Sequence, residues 1–445
     1  MTVSTKYGKI SGVREGDAVI YKGIPYAKPP VGGLRFRPPQ EPESWEGVLA
    51  ADKWPNKCMQ PGQQPGSFYE KEFYTDPAYM PPSSEDCLYL NVWTPAERRN
   101  EKLPVAFWIH GGAFMNGFGS EIEFDGQEYA RRGVILVTIN YRCGIFGFFS
   151  CRELSEEQGG ISGNYGILDQ IAALRWVYDN ITSFGGDPDN ITVFGQSAGA
   201  ISVQTIVSSP LTKGLVRRAI MQSAGGYKTG FNRERTPEQA EENGEALMKE
   251  MGVATLTELR AMPAEELLKK SLEAAFDGMS KGGGGPGLPF APFVDNRILV
   301  DSYDASVEKG LTHDIDYMLG STANDIGITP EMLGKGEKGF LYEGCVNWSL
   351  KQRELGRRPS YVYYFTRRMP GDDAGAFHSA ELWYVFNTLG RCWRPLAEAD
   401  HELSRRMVGY WTNFMKKGDP NGPGLPEWRP CTAEDRFVMA FDIVD

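Results

Sequence analysis

The sequence predicts an α/β fold: a central, mostly parallel sheet, helices on both of its faces and a short antiparallel N-terminal portion. Three observations carry this reading. Compact apolar runs recur along the chain without polar alternation, "PVAFWIH", "VILVTINY", "ITVFG", "RRAIMQS", "DYMLGS" and "YVYYFT", as strands covered on both faces must. Helix-like stretches separate several of them, "GILDQIAALRWVYDNI" and "PEQAEENGEALMKEMG" among them, and strand–helix alternation builds parallel sheets. The start differs: "KYGKISGVR", "AVIYKGIPYA" and "LYLNVWTP" are joined by Gly and Pro turns, the pattern of antiparallel pairs.

With 445 residues, 41% hydrophobic and 12% aromatic, the chain has the means to bury a large core. No repeat or linker divides it, so one domain is expected over 1–445, with cap-like loops at 58–87, 276–289 and 327–350. "SKGGGGPGLP" (280–289) reads as a loop inside that domain, because "FAPFVD" resumes a packed pattern at once.

Composition excludes several classes. A net charge of −11, with both signs mixed along the chain, argues against nucleic acid and anionic membrane as partners. Uninterrupted apolar runs such as "VILV" (134–137) reach no more than five residues, strand lengths far too short to span a bilayer. "MTVSTKYGKISG" has neither a basic nor an apolar signal region, so a soluble, cytoplasmic protein is expected. The seven cysteines are odd in number and form no CxxC, there is no HExxH, and there are four histidines; mostly free thiols and no metal site follow. Gly334, Gly336 and Gly339, and likewise Gly282, Gly284 and Gly287, fit G-x-G-x-x-G. Neither set follows a strand and opens a helix, so no dinucleotide cofactor is expected.

The chemistry begins at "DNITVFGQSAGA" (189–200). A β-branched run enters Gly195-Gln196-Ser197-Ala198-Gly199, and "ISVQTIVSS" follows as a helix. G-x-S-x-G between strand and helix is a nucleophile elbow, with the hydroxyl lifted above the sheet edge at a helix N-terminus. Such a serine needs a base and an acid in the chain order Ser, Asp or Glu, His. "STANDIG" after one later strand places Asp325, with Glu331 as the alternative acid; "RRMPGDDAGAFHSAE" after the next places His378. His401 sits in an amphipathic helical stretch, His313 precedes its strand, and His110 packs under the "IHGGAF" turn. That turn offers oxyanion donors among Gly111, Gly112 and Ala113, joined by the N–H of Ala198.

These motifs resemble the type-B carboxylesterase family, the cholinesterase-like branch of the α/β hydrolases, in its bacterial or fungal, para-nitrobenzyl-esterase-like form. "FGGDPDNITVFGQSAG" (184–199) matches the family's serine pattern and "EDCLYLNVWTP" (85–95) its second pattern. "YKGIPYAKPPVGGLRFRPP", "NYRCGIFGF", "GNYGILDQIAALRWV", "FVDNRIL", "GAFHSAELWYVF" and "GDPNGPGLPEW" extend the likeness over nearly the whole chain. The resemblance implies the α/β-hydrolase fold, Ser197 as nucleophile, His378 as base and Asp325 in the acid position, where most relatives carry Glu. It places the oxyanion hole on Gly112, Ala113 and Ala198. It makes Arg35 with Glu85, and Arg142 with Asp169, structural ion pairs. Cys58 and Cys87 occupy a disulfide position of secreted relatives; with no secretion signal, they are expected reduced, or at most partly oxidised.

Departures narrow the substrate. Gln196 replaces the Glu of cholinesterases, and the stretch from Cys58 to Cys87 carries Phe68, Tyr69, Phe73, Tyr74 and Tyr79 but no Trp, so choline esters fit poorly. A short stretch between Asp325 and His378 implies a reduced cap and an open cleft. The expected function is cofactor-free hydrolysis of small to medium carboxylic esters, bulky or aromatic ones included. The alternatives are a hydroxycinnamoyl (feruloyl- or chlorogenate-type) esterase, an amidase or carbamate hydrolase, a lipase as the poorest fit for want of a lid segment, and, in another class, a non-catalytic cholinesterase-like binding protein.

Overall fold

The computed structural model describes residues 1–230, 235–280 and 288–443, with backbone alone for 276–280. Ten strands form its main sheet. In chain order they are β1 (Val13–Glu15), β2 (Ala18–Pro25), β3 (Tyr89–Thr94), β4 (Leu103–Ile109), β5 (Ile135–Ile139), β6 (Gly186–Gln196), β7 (Arg218–Gln222), β8 (Asp316–Thr322), β9 (Tyr361–Phe365) and β10 (Met439–Phe441). Across the sheet the order is β1-β2-β3-β5-β4-β6-β7-β8-β9-β10. Pairing is antiparallel from β1 to β5 and parallel from β5 to β10. The six apolar runs read as buried strands are β4 to β9. Part of the antiparallel start stands apart, with Thr2–Ser4, Lys9–Ser11 and Val48–Ala50 making a small separate sheet.

Both faces of the sheet are apolar because successive strand residues point to opposite sides. Val105, Phe107 and Ile109 of β4 enter one core layer; Ala106 and Trp108 enter the other. Besides the short α1 (Phe68–Phe73), four helices matter here: α2 (Tyr165–Asn180), α3 (Ala198–Ser208), α4 (Phe340–Glu354) and α5 (Glu398–Lys417). Leu174, Val203 and Trp348 seal the first face from α2, α3 and α4; Met407 and Phe414 seal the second from α5. Fully buried side chains of this kind contribute roughly 1.5–3 kcal/mol each. No helix among the described residues is long and apolar enough to cross a membrane.

The stretch 327–350 is largely helical. Its second half is α4, the crossover between β8 and β9, whose Trp348 packs edge-on against Tyr317 of β8 at 5.0 Å. Gly334 closes the short helix Pro330–Gly334 and Gly339 caps α4, so a helix, not a strand, precedes that glycine pattern. The expected loop 276–289 begins as helix instead, since 276–280 end the helix Ala264–Ser280; Gly282, Gly284 and Gly287, with the rest of 281–287, lie outside the described residues.

One expectation is corrected. Cys58 and Cys87 form a disulfide. The compartment argument spoke to redox poise and not to geometry. A two-residue parallel ladder pairs Lys57–Cys58 with Ser83–Ser84 and brings the two Cα atoms to 4.9 Å, inside the bridging range. Thiol titration of the denatured, unreduced protein is therefore expected to find the five free cysteines. A count of seven would show that the bridge does not form.

Candidate active site

The order of the strands sets the site. Because β4 lies between β5 and β6, the turns after β4 and β6 leave the same sheet edge side by side, where α/β folds bind ligands. Ser197 stands between β6 and α3 at φ 57° and ψ −126°. A non-glycine residue there costs on the order of 1–3 kcal/mol. Its N–H donates to the Gln222 carbonyl of β7 at 2.9 Å, which holds the turn. The flanking glycines are forced by contact: a Cβ on Gly199 would lie 2.1 Å from the Ile109 carbonyl oxygen, and one on Gly195 would lie 2.6 Å from the Gly199 backbone. That packing explains why small residues surround the serine. Ser197 stays half-buried while Gly195, Gln196, Ala198 and Gly199 are buried.

The "HGGAF" turn abuts this elbow. A Cβ on Gly111 would lie 3.2 Å from the Ser197 Cβ. Gly112, Ala113 and Phe114 follow one another at φ 97°, 56° and 60°, and the Gly112 carbonyl accepts from the N–H groups of Met115 (2.9 Å) and Asn116 (3.1 Å). Consecutive positive φ values in a half-exposed loop mark a strained segment held by its surroundings. Ala198 opens α3, so its N–H belongs to the first turn that helix geometry leaves without an intrahelical acceptor. His110 lies beneath, stacked on Tyr141 at 4.3 Å. Burial pushes its pKa down to about 4, so it stays neutral.

Asp325 and His378 come from the loops after β8 and β9. These parallel neighbours are stitched together beyond the sheet: Asn324 N–H donates to the Ala376 carbonyl, and Ala376 N–H to Asn324 Oδ1, both at 2.9 Å. His378 Nδ1 then meets Asp325 Oδ1 at 2.6 Å. Asp325 also accepts from Ile326 N–H at Oδ1 and from Thr322 N–H at Oδ2, each at 2.9 Å. Burial pushes the Asp325 pKa up, but the His378 charge and these hydrogen bonds outweigh it and hold the carboxyl below its usual range. Burial likewise pushes His378 down, and the Asp325 charge and hydrogen bond reverse that, leaving the imidazole above its ordinary value.

Glu331, the alternative acid, is exposed on its helix and pairs with Lys335 at 2.6 Å. His401 is half-buried on α5, and His313 Nε2 lies 3.1 Å from the Ser209 carbonyl; neither reaches this cluster. The expected ion pairs are present, with Arg35–Glu85 at 2.6 Å and Arg142–Asp169 at 2.7 Å.

Gln196 links the two halves. Its Nε2 lies 3.2 Å from His378 Nε2. With the Nδ1 proton directed at Asp325, the Nε2 lone pair accepts from this amide, a tautomer assigned from the network. No hydrogen bond joins Ser197 Oγ to His378 among the described residues. Resting His378 is thus turned to the residue beside the serine, and such contacts commonly tighten only with substrate bound.

Two neighbours escaped the sequence reading. Asn324 makes the stitch, one residue before Asp325. Glu381 is buried; burial, then the Asp325 charge, pushes its pKa up to about 7, and Gln222 Nε2 donates to it at 3.4 Å. Its signal was a lone carboxylate inside the apolar run "AELWYVF".

The carboxylesterase family model matches residues 1–343 and 340–444. The chain belongs to the carboxylesterase family. This carboxylesterase is 35% identical to the para-nitrobenzyl esterase of Bacillus subtilis, over 99% of its own length and 94% of that chain. It is 38% identical to the fumonisin B1 esterase of Sphingopyxis macrogoltabida, over 95% and 83%. Among solved structures, a thermophilic PNB esterase superposes with a TM-score of 0.86 at 33% identity, covering 99% of this chain and 96% of that one. The carboxylesterase is accordingly a carboxylic-ester hydrolase of the α/β-hydrolase fold. The alternatives, a non-catalytic binding protein among them, find no support in these relatives. The Bacillus alignment runs over 489 positions against the 445 residues of this carboxylesterase, so the Bacillus chain carries insertions that this one lacks.

Proposed function

We propose that the enzyme hydrolyses small to medium carboxylic esters, aromatic and bulky ones included, through an acyl-enzyme on Ser197. The observation that carries this is the Asp325–His378 contact at 2.6 Å, closed through Gln196 onto the strained serine turn. In this scheme a bound ester draws His378 Nε2 from Gln196 to Ser197. The imidazole takes the hydroxyl proton as Oγ attacks the carbonyl, and Asp325 holds the tautomer and stabilises the imidazolium. The N–H groups of Gly112, Ala113 and Ala198 receive the oxyanion. His378 protonates the leaving alcohol, and water repeats the sequence on the acyl-enzyme. No step uses a metal or cofactor.

Aromatic substrates are supported by the rim. Phe68 and Tyr69 are 38% and 40% exposed, and the Tyr69 hydroxyl donates to the His378 carbonyl at 3.2 Å. The para-nitrobenzyl and fumonisin esterases named above fit the same substrate range. The test is a panel of p-nitrophenyl esters of increasing chain length together with hydroxycinnamate esters. Short to medium and aromatic esters are expected to turn over, with a burst of p-nitrophenol where deacylation is slow. Hydrolysis of none of them would end this reading. The cytoplasm is the proposed site of action, and the thiol count, made on enzyme drawn from that compartment, shows whether the bridge persists there.

Gln196→Glu places a carboxylate against His378 Nε2 and favours the imidazolium. The acid limb of kcat/KM is expected to move to higher pH, costing up to about tenfold at acid pH, with little change above the limb. A pH profile superposable on wild type would remove Gln196 from contact with the base.

A further inference from the structure

The disulfide-closed stretch 58–87 supplies none of the reacting groups, yet it is fastened to both halves of the site. On one side, Glu72 of α1 accepts from Trp383 Nε1 and Trp393 Nε1, both at 2.9 Å, and pairs with buried Arg394 at 3.0 Å. Arg394 also holds Asp372 at 2.7 Å, so this anchor sits on the segment that carries His378. At the other side stands Gln60, two residues beyond the bridged Cys58 and buried.

The Gln60 amide closes on both main-chain polar groups of one residue, Gly117. Its Oε1 accepts from Gly117 N–H at 2.9 Å, and its Nε2 donates to the Gly117 carbonyl at 3.0 Å and to the Cys58 carbonyl at 3.0 Å. A primary amide offers a donor and an acceptor side by side in one plane at any pH of the assay, as an ionised carboxylate does not. Gly117 is the far foot of the "HGGAF" turn. At φ 107° it is pressed so close to the near foot that a Cβ would lie 2.3 Å from His110 Nδ1 and 2.8 Å from the Gly111 carbonyl oxygen. Whatever fixes Gly117 therefore fixes where the turn between the two feet can stand.

We propose that Gln60 is a positioning residue for the oxyanion loop: its two-point clamp on Gly117 sets the aim of the Gly112 and Ala113 N–H groups, and the bridged stretch is its rigid mounting. This rests on the esterase reading given above. An oxyanion hole acts through donors already in place when charge develops. A loosened clamp therefore weakens the transition state and leaves ground-state binding alone, so kcat falls and KM holds.

Gln60→Met keeps the length and bulk and removes the hydrogen bonds. With enzyme concentration set by the p-nitrophenol burst, kcat on a p-nitrophenyl ester is expected to fall about tenfold at constant KM, less than the roughly 10²–10³ of a deleted donor. The Ki of an alkyl trifluoromethyl ketone, whose hemiketal oxygen enters the same hole, is expected to rise by the same factor, with the acid limb of the pH profile unmoved. A merely structural role would lower the burst and leave Ki unchanged. Gln60→Glu, which protonates against the two carbonyls and restores part of the clamp, is expected to fall between Met and wild type; it carries the comparison if the Met variant does not fold. A wild-type Ki in the folded variant overturns the proposal alone. Absence of both burst and turnover in the wild-type enzyme overturns it together with the esterase reading.

Discussion

Ser197→Ala is expected to lower kcat by about 10⁶, with KM within a few-fold of wild type and the burst abolished. The argument is local. The elbow holds its main chain at φ 57° against two glycine contacts that a Cβ would break, and none of these involves the hydroxyl. Alanine has the same Cβ, so the turn, the Ala198 N–H and the neighbouring loop keep their places. What is lost is the covalent path, and the residual rate is that of an oxyanion hole acting on direct attack by water. Circular dichroism and melting temperature should match wild type. Turnover persisting near the wild-type rate in this variant would remove Ser197 from the chemistry.

Asp325→Asn carries the second largest expectation, a loss of about 10⁴ in kcat. Asp325 Oδ2 accepts from the Thr322 N–H and Oδ1 from His378. If the oxygen of the introduced amide stays with Thr322, its NH₂ faces Nδ1, which must then accept. The ring proton moves to Nε2, and the lone pair that should take the serine proton is gone. The substitution should also narrow the pH range of stability. The raised pKa of His378 gives stability that is full below about 6.5 and is lost as pH rises through the raised value; the lowered pKa of Asp325 gives stability that is full above about 3.9 and is lost as pH falls through the lowered value. Both contributions vanish with the carboxylate charge. Thermal melts from acid to alkaline pH test this. A stability profile parallel to wild type would mean that the pair is not coupled as the geometry implies.

Much of this site was legible in the sequence because its demands are steric and local. Gly195 and Gly199 are written into the serine motif since no side chain fits against Ile109 or against each other. The apolar runs of β4 to β9 announced strands covered on both faces, and from their order Asp325 and His378 followed as residues of two successive post-strand loops. Asn324 left no signal: a polar loop residue reads as a turn former until the neighbouring loop supplies the backbone it bonds. The cysteine pair was misjudged for the same reason, since two β-bridges and not the compartment bring the sulfurs together.

Taken alone, the residue order determined the class of fold and the strand–turn–helix at Ser197, and it pointed to the "HGGAF" turn, Asp325 and His378 as the proposed oxyanion loop, acid and base, since each reading depends on conformational limits or apolar periodicity spanning a few residues. Only the tertiary structure decided that His378 rests against Gln196, that Glu381 is buried near Asp325, and that the bridged stretch grips Gly117 through Gln60. Those contacts join segments far apart in the chain. They depend on strand neighbours and close packing, and neither leaves a periodic trace in the sequence.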